Sequence, residues 1–140
     1  MRLLLATLSS IALAGIAYGQ IVSSPEQVIR RMIESGSLEG HDRKVIGGMG
    51  DAAAVTVTKV LAGRNLSAND IDSVLVILNS SFADLRFVEV VSDREPRTAL
   101  FVLHSLDSST KDPELKKRIA DTKKYVQEQH AKSMQDSPKR

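Results

Sequence analysis

The sequence predicts an all-α fold, a short stack of antiparallel helix pairs, and three observations carry that prediction. Apolar residues recur at spacings of three and four along nearly the whole chain after residue 20. Residues that start helices (Ser, Asp or Pro) stand just before those stripes. Aromatic residues make up 4% and Trp is absent, so the core must be built from Val, Leu, Ile and Ala. With 140 residues, 42% hydrophobic and 26% charged, the chain suits one modest globular core and not wholesale disorder. There is no cysteine, which excludes disulfides, a lipid-modified cysteine and thiolate metal sites.

Residues 1–19 form a separate unit with the three parts of a cleavable export signal. Arg2 is the positive start, and the run from Leu3 to Ile16 is apolar without a charge. Ala17-Tyr18-Gly19 then offers small residues where a signal peptidase inspects the chain, so cleavage is expected between Gly19 and Gln20. The competing reading, an uncleaved anchor, needs about 20 strongly apolar residues. This run is shorter and is diluted by Thr7, Ser9, Ser10 and Gly15. Export to the periplasm or the extracellular medium follows, with a helical domain expected over residues 20–132 and a disordered tail over 133–140.

Seven helices are predicted in the mature region. Ser24-Pro25-Glu26-Gln27 opens the first, with a serine cap, proline at the first helical position and a glutamine that can bond back. Val28, Ile29, Met32 and Ile33 share one face of it, and Gly36 ends it. A second runs from His41 to Met49. Asp51 is expected to cap a third, from Ala52 to Leu61, closed by Gly63. Ser67-Ala68-Asn69-Asp70 opens a fourth through Ile71, Val74, Leu75 and Leu78. Ser81-Phe82-Ala83-Asp84 opens a fifth through Leu85, Val88 and Val91, and Pro96 a sixth bearing Ala99, Leu100, Leu103 and Leu106. Asp112-Pro113-Glu114 opens the seventh, striped by Leu115, Ile119, Thr122 and Val126. Two stretches, Val55-Thr56-Val57-Thr58 and Phe87-Val88-Glu89-Val90-Val91, are rich in β-formers. Read as strands, they would make a mixed α+β domain with one small sheet; the flanking caps and alanines favour helix.

Val45-Ile46-Gly47-Gly48-Met49-Gly50-Asp51-Ala52-Ala53-Ala54-Val55, followed by Val60-Leu61, resembles the HEAT-like repeat pattern. The resemblance covers about one repeat, near residues 41–62, and implies two antiparallel helices joined at the Gly-Asp junction. Gly50 would permit the positive φ that ends one helix. Residues 67–92 and 96–128 follow as helices of similar length without the Gly-Asp signature. The resemblance implies a stack of repeats, which needs about three units to bury a continuous core.

Catalytic and cofactor chemistry finds little support. Gly48-Met49-Gly50-Asp51-Ala52-Ala53 fits a dinucleotide-loop spacing, with Asp70 and Asp72 downstream. The residues before it are His41-Asp42-Arg43-Lys44, not a buried strand, and Asp51 is a negative charge where pyrophosphate would sit. His41, His104 and His130 are far apart and have no partner at metal-ligand spacing. No serine stands in a nucleophile elbow. No cofactor and no metal site is predicted. Asn65-Leu66-Ser67 and Asn79-Ser80-Ser81 match the N-glycosylation sequon, although helix junctions also favour asparagine.

Net charge is +2, but residues 111–140 hold nine Lys/Arg against five Asp/Glu. Lys116, Lys117, Lys123 and Lys124 make a candidate basic face on the last helix, either plainly solvated or touching an anionic surface. Nucleic acid is not expected as a partner, because export removes the protein from it. The expected function is an exported, non-catalytic module that binds another protein. Its candidate interaction face is Val28, Ile29, Met32 and Ile33 on the first mature helix. The alternatives are a structural subunit completed by a larger partner or its own copy, and a small hydrolase with unplaced carboxylates.

Overall fold

The structure is a computed structural model that describes residues 24–36, 40–85 and 96–136. These form six helices, and no strand occurs among the described residues. The helices are α1 (Pro25–Ser35), α2 (Gly40–Ile46), α3 (Asp51–Leu61), α4 (Ala68–Ser81), α5 (Arg97–Ser109) and α6 (Pro113–Asp136). The export signal, with Gly19 and Gln20, lies outside the described residues.

Local chemistry accounts for three of the six helix starts. Ser24 caps α1 by accepting from the Gln27 N–H, and the Gln27 side chain accepts from the Ser24 N–H, a complete capping box behind Pro25. Ser67 and Asp70 build the same device for α4, and Arg64 adds a charge-assisted bond to Asp70. At α6 the Asp112 carboxylate accepts from the Glu114 N–H. Val55-Thr56-Val57-Thr58 is helical within α3, and the hydroxyls of Thr56 and Thr58 donate to carbonyls one turn back. Intrinsic β preference yields here to burial of Ala53, Ala54, Val57 and Val60 on one helical face.

The six helices pack as two rows. α1, α3 and α5 lie side by side, and so do α2, α4 and α6; each consecutive pair α1–α2, α3–α4 and α5–α6 bridges the rows. Arg118 bonds Asp72 and Thr122 is bonded by Asn79, so α4 and α6 advance together. The core between the rows is one aliphatic cluster in which Phe82 is the largest fully buried side chain.

The loop 47–50 is the junction of this arrangement. Gly48 and Gly50 have φ of 82° and 57°, a region that suits glycine. Their N–H groups donate to the Ala83 and Ser81 carbonyls (both 2.9 Å), so the loop closes the C-terminal end of α4. Asp51 then reaches the other way. Its carboxylate accepts from the Thr98 N–H (3.2 Å) and the Ala99 N–H (2.7 Å), capping α5 across the row.

Four expectations are corrected. Asp51 is the first residue of α3 and makes no cap bond to it; the helix follows Gly50 without a side-chain cap. The second helix ends at Ile46, not Met49, because Gly48 turns the chain towards α4. Ser81 is the last residue of α4 and not the cap of a new helix: its hydroxyl donates back to the Leu78 carbonyl, and Asp84 has a φ of 59°. The body of that predicted fifth helix, including Phe87–Val91, lies outside the described residues. Finally, α6 continues to Asp136 where a disordered tail was expected from residue 133, since Ser133 is buried and its hydroxyl bonds the His130 carbonyl. Residues 137–140 lie outside the described residues.

Removing the Asp51 carboxylate leaves two amides of α5 without their acceptor. Asp51→Ala is expected to cost about 1–2 kcal/mol in a denaturant titration. Amide exchange should accelerate at Thr98 and Ala99 before it does within α3; unchanged exchange there would refute the remote cap. Gly50→Val combines an unfavourable φ with a Cβ 2.9 Å from Leu85 Cδ2, and a loss on the order of 2–4 kcal/mol is expected.

Candidate functional site

The predicted interaction face does not form a surface. Val28, Ile29, Met32 and Ile33 are all buried in the core, because α1 packs against α2, α3 and α4 together. α1 stands at one end of its row, yet its apolar face turns inward onto these three helices. Its water-facing side is instead Glu26, Gln27, Arg30, Arg31 and Glu34, with an Arg30–Glu26 pair along the helix. Arg31 reaches Asp42 of α2, whose carboxylate is 2% exposed, so this ion pair clasps the first two helices.

The predicted basic face is divided. Lys116 is half-buried and bonds both the Asp107 carbonyl (2.9 Å) and its carboxylate (3.4 Å), fastening α6 to α5. Lys124 pairs with Glu128 on its own helix. Lys117 and Lys123 are exposed. The four lysines therefore serve different ends and do not act as one cationic strip.

The remaining candidates are placed as follows. His41 and His104 are exposed, His130 is half-buried, and no three His, Asp or Glu among the described residues come together to hold a metal ion. Gly48 and Gly50 give their amides to the Ala83 and Ser81 carbonyls respectively, which leaves neither donor for a pyrophosphate. Asp70 serves the α4 cap and Asp72 holds Arg118. Asn79 lies on α4 and its amide donates to Thr122 across the row (3.3 Å), whereas Asn65 is exposed between α3 and α4.

One surface was missed by sequence reasoning. Phe101 on α5 is 65% exposed, and Val55 on α3 is 42% exposed. At 100° per residue Phe101 stands 200° from Ala99 and Val55 stands 200° from Ala53, so both point straight away from the core. Because Asp51 fixes the N-termini of α3 and α5 at one level, the two side chains lie near the same height on adjacent helices. The signal was present in the sequence: Phe101 falls outside the stripe of Ala99, Leu103 and Leu106.

This geometry defines an all-α protein of bridged helix rows. Comparisons with protein-family models, curated proteins and solved structures found no match. Among the described residues no helix is long and apolar enough to cross a membrane.

The two faces should respond oppositely to substitution. Ile29→Ala is expected to lower stability by about 2–5 kcal/mol, and Ile29→Glu with Met32→Glu to prevent folding. Phe101→Ala should change stability by less than about 0.5 kcal/mol. Thermal melts of the three variants check this, and a stable double-Glu protein would show that α1 is not core.

Proposed function

We propose that the chain is an exported, non-catalytic protein of HEAT-like helical repeats that binds a partner protein through the outer surface of the α1–α3–α5 row. The observation that carries this reading is Phe101, a large ring left in water by a domain that buries Val102, Leu103 and Leu106 of the same helix in its core. Aromatic residues, Phe among them, are enriched in the cores of protein interfaces. Two bridged rows are also what stacked helix pairs produce, and such stacks bind along their rows. The engagement of the glycine-loop amides, Asp70 and Asp72 in the fold supports a binding role over chemistry.

Two measurements test it. Intact mass of the protein recovered outside the cytoplasm should place the first residue at Gln20, and a bulky replacement of Ala17 should leave precursor; a retained Met1 argues against export. Phe101→Glu should abolish recovery of a partner that co-purifies with the wild-type protein while the melting temperature stays unchanged. If every co-purifying protein is retained by the variant, the surface is not the interface.

A further inference from the structure

Among the described residues, cationic side chains flank Phe101 and Val55. Arg97 stands one turn before the ring and is exposed. On α3, exposed Lys59 follows Val55 by one turn. With the N-termini of α3 and α5 level, Arg97, Phe101, Val55 and Lys59 succeed one another along a diagonal track. Ion pairs among the described residues engage Arg30, Arg31, Arg64, Lys116, Arg118 and Lys124, and neither Arg97 nor Lys59. The acidic residues of these two helices face elsewhere: Asp51 caps α5 and Asp107 holds Lys116.

We infer that this track receives an acidic segment of the partner protein, with one apolar side chain against Phe101 and Val55 and carboxylates at Arg97 and Lys59. The inference rests on the binding role proposed above and adds the chemistry of the partner. Arg97 offers a planar fork that suits a carboxylate, and Lys59 offers a point charge at the other end. Like-charged or neutral segments would leave both cations uncompensated on docking. An anionic membrane is the weaker occupant. Membrane docking draws on a wide apolar face or a cluster of several basic residues, and this track has two apolar side chains and two unpaired cations.

Random peptides displayed on phage, selected on the full chain and counter-selected on its Phe101→Ala variant, test the inference. Selected peptides should be net negative around an apolar residue. In fluorescence anisotropy a labelled copy of the commonest one should lose about tenfold or more in affinity with Phe101→Ala. It should lose several-fold with Arg97→Gln and with Lys59→Gln, and weaken as salt rises. All three side chains are exposed, and melts of each variant confirm that the fold persists. Neutral or basic peptides that need Phe101 but ignore Arg97 and Lys59 would overturn the acidic assignment and leave the binding face standing. If no selected peptide depends on Phe101, the face itself fails and the inference with it. Phe101-dependent pelleting with phosphatidylglycerol vesicles, without peptide binding, would overturn it in favour of a membrane.

Discussion

The Asp51 carboxylate, held by the second and third amides of a helix almost fifty positions away in sequence, is the contact on which the arrangement of rows depends. A helix start is electropositive and has unpaired donors; a helix end is electronegative and has unpaired acceptors. Residues 47–51 answer both at once, offering glycine amides to the end of α4 and the Asp51 carboxylate to the start of α5. They can do so only with a backbone that reverses twice within a few residues, hence glycines at 48 and 50. Five residues thereby set the level of α3 against α5 and the position of α4 beneath them.

Around that junction, packing supplies the stability and ion pairs sharpen the fit. The core is almost wholly aliphatic, with no disulfide to supplement it. The pairs Arg31–Asp42, Lys116–Asp107 and Arg118–Asp72 each join two different helices at the rim of the core. Exposed pairs of this kind contribute about 0–1 kcal/mol, so Lys116–Asp107 and Arg118–Asp72 select register more than they add stability. Asp42 differs because it is buried: without Arg31 a carboxylate would lose its charge-assisted partner away from water.

Elements whose instructions are local were legible in the sequence. The capping boxes at Ser24 and Ser67, the proline starts and the stripes of α3, α5 and α6 all act within a turn or two. Contacts that bridge distant positions were not. Asp51 reads as a cap for the helix it begins, and nothing nearby in sequence reveals that its oxygens serve Thr98 and Ala99. The burial of Ile29 and Met32 was equally hidden, since an amphipathic stripe has the same pattern whether a core or a partner covers it. Continuation of α6 past residue 132 was obscured because the stripe turns polar beyond Val126 while keeping its spacing. Phe101 was hidden for the opposite reason: it is the residue that does not fit its helix's stripe.

The double role of residues 47–51 also fixes their number. The end of α4 and the start of α5 are both fastened to this one short stretch, by amides on one side and a carboxylate on the other. One added residue would carry either the amides or the carboxylate out of reach. Over evolutionary time this stretch can therefore change its side chains more freely than its length.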